Sequence, residues 1–238
     1  MIAGIYLAAG AGRRMNGPKL TAELMPGVPL GALALRTLLT AGLEAVYAIV
    51  RPGAELEWLY GLSNDAIRKA EPVPKRSPGM AEDGTPRAKV GATAPGSTRL
   101  ETIVCSDAER GMAHSLRCGI GRAAEAGQDA AIVMLADQPF VTPAMVQALI
   151  DRWRKNPALD YVAGSAGDVM TPPVLLARST FSRILELEGD MGAKRLLQSA
   201  GFIGALQQPF DEPWRLLDVD TPEGLERAKR IAAQIYVT

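Results

Sequence analysis

The sequence predicts an α/β protein built as a Rossmann-like doubly wound layer, a mostly parallel sheet with helices on both faces. Two observations carry this. Short apolar runs rich in branched residues recur at 2–7, 45–50, 102–105 and 130–135, as strands buried on both faces require. Segments with helical spacing follow them at 30–41, 54–62, 112–126 and 143–153, and strands alternating with helices build parallel sheets.

The 143–153 helix opens on Thr142-Pro143, an N-cap followed by proline at the first helical position, where no backbone N–H is needed. After Tyr161 the alternation loosens. Pro172-Pro173 precedes a short apolar run at 174–176, and helices are expected near 180–188 and 191–200. Thr221-Pro222-Glu223 caps a last helix reaching residue 234. One stretch departs from the pattern: residues 63–98, 36 in all, contain five prolines, four glycines and no aromatic residue. Such a segment adds little to a core, so a flexible surface insertion is expected within a single domain spanning 1–238.

The chain of 238 residues can bury about 70–75% of the surface its unfolded form exposes, enough for a core without staples. Lys plus Arg is 26 and Asp plus Glu is 26; this balance excludes a broad basic footprint for nucleic acid or anionic lipid, so phosphate binding must be local. The longest apolar run, residues 130–136, is far short of the roughly 20 needed to cross a bilayer. The apolar N-terminus turns basic at Arg13 and Arg14, the reverse of a signal peptide, and a cytoplasmic location is expected. Cys105 and Cys118, 13 positions apart, match neither a zinc site nor a redox pair and are expected to be free thiols.

The chemistry concentrates after the first strand: Leu7-Ala8-Ala9-Gly10-Ala11-Gly12-Arg13-Arg14-Met15-Asn16-Gly17-Pro18-Lys19-Leu20. Small residues bring backbone N–H groups to an anion, and cations gather where the sheet's carboxyl edge opens, as a triphosphate cradle needs. A dinucleotide-binding turn wants glycine three positions after Gly12 and meets Met15. A Walker loop wants Gly-Lys-Ser/Thr and meets Gly17-Pro18-Lys19-Leu20, without the metal-binding hydroxyl.

This motif resembles the opening of nucleotidyltransferases of the molybdenum cofactor type. Further segments fall in that family's order: Gly111-Met112-Ala113-His114-Ser115-Leu116, Leu135-Ala136-Asp137-Gln138-Pro139, Gly189-Asp190-Met191-Gly192-Ala193 and Asp218-Val219-Asp220-Thr221-Pro222-Glu223. Together they cover nearly the whole chain except the insertion. The resemblance implies the nucleotide-diphospho-sugar transferase-like variety of the fold. It also implies attack of an acceptor phosphate oxygen on the α-phosphorus of a nucleoside triphosphate, with pyrophosphate leaving and magnesium as cofactor.

Asp137 follows the 130–135 strand, so its carboxylate is expected at the sheet's carboxyl edge as a metal ligand. Asp218 and Asp220 are expected to face opposite ways, so that only one joins the same metal. The resemblance favours Asp220, although an N-cap role for it stands beside the ligand role. By the same resemblance Arg13 and Lys19 meet the β- and γ-phosphates, whereas Arg14 is expected to be solvated. Leu7, Ala8, Ala9, Gly10 and Gly12, with Arg13, Lys19 and Ser115, form the nucleotide site, Ser115 standing in the first turn of the 112–126 helix. Gln138, Asp190 and Gly192 are candidates for the acceptor side, Asp190 doubling as a possible N-cap. His114, the single histidine, reads as a surface or packing residue, because phosphate oxygens attack without a base.

Ala9, where the guanylyl branch typically has a second glycine, points by analogy to CTP rather than GTP. The implied acceptor is molybdopterin, yielding a cytosine dinucleotide cofactor for hydroxylases of the xanthine dehydrogenase type, with a molybdoenzyme apoprotein or its accessory protein as a further partner. The sequence departs from the family pattern at Asn16, His114 and Met170-Thr171-Pro172. Two other classes compete: a dinucleotide-dependent oxidoreductase, against which Met15 speaks, and a non-catalytic protein that binds and delivers cofactor.

Overall fold

A computed structural model of the chain describes residues 1–10, 12, 14–15, 17–54, 56, 58–59, 98–189, 192–199, 201–207 and 212–236. Strand β1 (Ile2–Leu7) leads through a 3-10 turn (Lys19–Thr21) and a small hairpin, β2 (Glu23–Met25) and β3 (Val28–Pro29), into helix α1 (Leu30–Thr40) and strand β4 (Ala45–Val50). There follow β5 (Arg99–Val104), α2 (Met112–Glu125), β6 (Ala130–Leu135), α3 (Pro143–Lys155), β7 (Tyr161–Ala166) and β8 (Val169–Ala177). Short helices α4 (Phe181–Leu185) and α5 (Ala193–Gln198), strand β9 (Gly204–Gln207) and helix α6 (Pro222–Tyr236) complete the described chain.

Among the described residues one seven-stranded sheet runs β5-β4-β1-β6-β8-β7-β9. The pairings are parallel except those of β8, which is antiparallel to both neighbours. The predicted fold class is therefore the observed one. β1, β4 and β6 lie at the centre, and their apolar runs are buried on both faces. On one face Tyr6, Val46, Ile132 and Met134 pack with Leu35 and Leu38 of α1 and Met145, Val146 and Leu149 of α3. On the other, Ile5, Tyr47, Ile49 and Val133 pack with Ala113, Leu116, Ile120 and Ala123 of α2 and with Phe181 and Ile184 of α4. A third cluster joins Leu24, Leu30 and Leu33 to Phe140, Val219, Ala228 and Ala232, fastening α6 beside the site.

The close seat of α2 depends on Gly119. A Cβ there would stand 2.5 Å from the Ile5 Cγ2 methyl, so a larger residue would push the helix off the sheet. Thr142 caps α3 by accepting from the Met145 N–H at 3.3 Å, as Thr142-Pro143 predicts.

Several expectations change. The run at 174–176 is the inner part of a nine-residue strand, because Pro172 and Pro173 fall in a bulge. Ala163 pairs with Val174 and Gly164 with Thr171, so the prolines occupy positions where no ladder N–H is required. β7 and β9 were not expected from the sequence; Gly164 and Gly204 and the short length of β9 blunt their pattern. The helices near 180–188 and 191–200 shrink to α4 and α5. Cys105 and Cys118 are not free thiols: they form a disulfide with 6.2 Å between Cα atoms. The end of β5 and the middle of α2 meet because the crossover packs α2 back onto the sheet, a proximity the 13-residue separation does not reveal. Most of the helix expected at 54–62, and the excursion at 63–98 apart from Thr98, lie outside the described residues.

Candidate active site

The carboxyl ends of β1 and β6 lie side by side, with Leu7 opposite Leu135. The segments leaving them stay together, since the Ala136 N–H donates to the Leu7 carbonyl at 3.1 Å and the Ala8 N–H to the Ile49 carbonyl at 2.9 Å. Ala8 and Ala9 are buried and Gly10 is exposed, which turns the chain outward at the sheet's edge. Gly12 has φ +56°, and a Cβ on it would come within 3.1 Å of Lys19 Cβ. Both conditions call for glycine, and together they let the Lys19 stem pass close under the turn.

Lys19 then reaches across to the β6 side. Its Nζ donates to Asp137 Oδ2 at 2.5 Å and to Asp220 Oδ1 at 2.6 Å. The lysine side chain is 10% exposed, Asp137 19% and Asp220 41%. Burial would lower the lysine's pKa, but the two carboxylates outweigh it and hold the ammonium above the ordinary lysine range. The Lys19 hydrogen bond, chiefly, holds Asp220 below the usual carboxylate range. Arg14 Nη2 lies 3.0 Å from Asp220 Oδ2 but is 72% exposed, so the residue expected to be solvated adds a weak, screened contact. Asp137 Oδ1 is buried and has no hydrogen-bond partner among the described residues.

Asp220 is free for this role because Thr221 caps α6: the Gly224 N–H donates to Thr221 Oγ1 at 3.1 Å. The alternative in which Asp220 is the cap is thereby corrected. So is the expected divergence of Asp218 and Asp220. Val219 is fully buried, and its N–H donates to the Asp137 carbonyl at 3.0 Å. In extended backbone residues i and i+2 share a face, so with Val219 turned inward both aspartates border the site. Asp218 keeps an exposed flank. Loss of hydration on its other side, and then the Asp137 charge, push its pKa up to about 6, against partial offsets from a Gln138 hydrogen bond and Lys19.

Gln138, a candidate for the acceptor side, is 0% exposed. Its Nε2 donates to the Pro172 carbonyl at 3.2 Å, and its Oε1 is buried without a partner, so it braces the bulged strand beside the site rather than presenting a surface. Ser115 is buried in the first turn of α2, where the Ala113 N–H is engaged by the Gly189 carbonyl at 3.2 Å. Gly192 stands near Met112 at the same helix end, where an added Cβ would lie 3.5 Å from the methionine sulfur. Arg13 and Asp190 lie outside the described residues. Sequence reading did not single out Tyr6. Its buried hydroxyl donates to the Gly31 carbonyl at 2.9 Å, and burial, with the Asp137 charge, raises its pKa well above the usual value. It is a buried neutral hydroxyl within reach of the Asp137 charge, and an apolar strand position carries no signal of that.

The donor chemistry suits a hard divalent cation. Two carboxylates converge and one buried oxygen is unsatisfied, while among the described residues no group of three His, Cys, Asp or Glu side chains is assembled. Magnesium characteristically takes one or two protein carboxylates and fills the rest of its shell with water and substrate phosphates.

Residues 4–208 match the model of the MobA-like NTP transferase domain. The chain belongs to that family. It is 32% identical over 229 residues to the purine catabolism protein PucB of Bacillus subtilis (strain 168), covering 95% of each chain. Rv0371c of Mycobacterium tuberculosis H37Rv shares the fold with a TM-score of 0.65 at 24% identity, over 96% of this chain and 97% of that one. The molybdopterin-guanine dinucleotide biosynthesis protein A of Archaeoglobus fulgidus does so with a TM-score of 0.60 at 16% identity, over 99% and 100%. As a MobA-like NTP transferase, the chain is a nucleotidyltransferase-like protein. Among the described residues no helix is long and apolar enough to cross a membrane.

Proposed function

We propose that this protein transfers CMP from CTP to the phosphate of molybdopterin, with GTP as the second candidate donor, and releases pyrophosphate. The observation that carries the reading is the convergence of Lys19, Asp137 and Asp220 beside the glycine-flanked turn after β1. That is an anion-binding loop, a cation and a carboxylate pair in one place.

In this reading an acceptor phosphate oxygen attacks the α-phosphorus, the bond from the α-phosphorus to the bridging oxygen breaks, and pyrophosphate leaves with the electron pair. No protein nucleophile is required; positioning and neutralisation of charge supply the catalysis. Magnesium, held by Asp137 and Asp220, would supply Lewis-acid neutralisation of the polyphosphate. Leu7, Ala8, Ala9, Gly10 and Gly12 cradle the nucleotide, Lys19 and Arg13 neutralise the outer phosphates, and Ser115 adds a contact at the helix end. Asp190, Gly192 and Gln138 are the residues assigned to the acceptor in this reading.

The relatives lend support. One protein of the same fold is described as a molybdopterin-guanine dinucleotide biosynthesis protein, and Rv0371c as a complex with manganese. PucB is described as a purine catabolism protein; a cofactor made for hydroxylases of the xanthine dehydrogenase type would join the two descriptions. A cytoplasmic setting and delivery to a molybdoenzyme apoprotein or its accessory protein complete the proposal.

The test is pyrophosphate release with CTP or GTP, magnesium and molybdopterin. CTP is expected to give the higher rate, and Asp137→Asn to lower it by about a hundred- to a thousandfold with the fold intact. A variant that keeps the full rate removes Asp137 from the chemistry. Tight nucleotide binding with no pyrophosphate would instead indicate a carrier.

A further inference from the structure

Lys19 holds two carboxylate oxygens at hydrogen-bond distance, 2.5 Å and 2.6 Å, and is nearly enclosed. Those oxygens belong to the pair that the reading above assigns to the metal. A buried ammonium bonded to both occupies the place where a cation would gain most, and like charges cannot share it. The charge count points the same way. Asp137, Asp220 and the bordering Asp218, when ionised, carry three negative charges; Lys19 and the more exposed Arg14 carry two positive ones. A divalent ion arriving alone would leave this cluster with an excess of positive charge. Arriving with a triphosphate, it brings its own counter-charge, and the triphosphate offers Lys19 a new partner beside Gly12, whose missing Cβ leaves the lysine stem room to swing.

We infer that Lys19 is a resident cation that keeps the Asp137–Asp220 pair closed to free divalent metal until a metal–triphosphate complex draws the ammonium onto the polyphosphate. This rests on the nucleotidyltransferase reading and adds an order of events: metal and nucleotide enter together, and Lys19 positions rather than reacts. Such a lock keeps the carboxylates from binding metal unproductively, and it couples metal uptake to the presence of the substrate.

The test is binding of Mn2+, followed through the electron paramagnetic resonance signal of the free ion and corrected by a protein-free control for Mn2+ chelated by the nucleotide, with and without a CTP analogue carrying a methylene between the α- and β-phosphorus. The intact chain is expected to bind Mn2+ at least about tenfold more tightly with the analogue than without it. Lys19→Met, which keeps the stem and removes the charge, is expected to bind Mn2+ alone at least about tenfold more tightly than the intact chain, and Asp137→Asn in that background to lose the gain. Equal Mn2+ binding by the intact chain and Lys19→Met overturns the inference while the analogue-dependent uptake leaves the nucleotidyltransferase reading standing. Failure of the analogue to promote Mn2+ uptake overturns both. Should Lys19→Met not fold, the Nζ resonance of Lys19 in 15N-lysine-labelled intact protein decides. It is expected to hold its position under magnesium alone and to move when magnesium and the analogue are added together; movement under magnesium alone overturns the inference.

Discussion

At the level of single residues, the site is governed by which charges face one another. Asp218 shows the consequence most directly. Its carboxyl has an ordinary pKa of 3.8 and a folded-state value of about 6. Between those values the folded chain binds the proton more tightly than the unfolded chain does, so stability is present in full below the lower value and falls as pH rises through the upper one. Asp218→Asn is therefore expected to stabilise the protein at pH 8, by no more than about 1 kcal/mol because solvent reaches the carboxyl, and to change nothing near about pH 3.5. Urea unfolding at the two pH values measures this, and an equal shift at both would mean that charge is not the cause. The Lys19–Asp220 contact carries the opposite signature. Its stabilisation is lost as pH falls through the lowered pKa of Asp220 or rises through the raised pKa of Lys19.

At the level of elements, the placement of α2 matters most, because its first turn carries Ser115, proposed for the nucleotide site, and its middle carries both Gly119 and Cys118. Gly119→Ala is expected to destabilise the fold by about 2 kcal/mol, since the added methyl meets Ile5 of the central strand. A chemical-denaturation midpoint unchanged from the parent protein would show that the helix shifts without cost. The Cys105–Cys118 bond ties the end of β5 to the same helix. Alkylation followed by mass measurement is expected to find both cysteines protected until a reductant is added; immediate double labelling would refute the pairing. Thr142→Ala, removing the cap of α3, is expected to lower stability to chemical denaturation by about 1 kcal/mol.

At the level of the whole molecule, the candidate site is assembled from three distant parts of the chain at one edge of the sheet. The turn after β1 supplies Lys19, the turn after β6 supplies Asp137, and the segment before α6 returns Asp220 from the far end of the sequence. A ligand that spans these pieces should stabilise the fold as a unit. CTP and magnesium together, at about a hundred times the dissociation constant, are expected to add about 2.7 kcal/mol and raise the melting temperature, whereas magnesium alone is expected to add nearly nothing. Thermal unfolding across the ligand combinations separates these outcomes; a rise with magnesium alone would contradict a pair held shut by lysine.

The amino-acid order was sufficient for the central architecture. Apolar runs buried on both faces cannot be read as anything but central strands once helical spacing separates them, and the small residues around Gly12 mark where an anion can approach the main chain. Proximity was beyond its reach. The disulfide, the bulge that admits Pro172 and Pro173, and the ammonium bridging two carboxylates all join residues that local pattern treats separately. Periodicity records which face of an element meets the core; only packing those faces together decides which polar groups are left to meet each other.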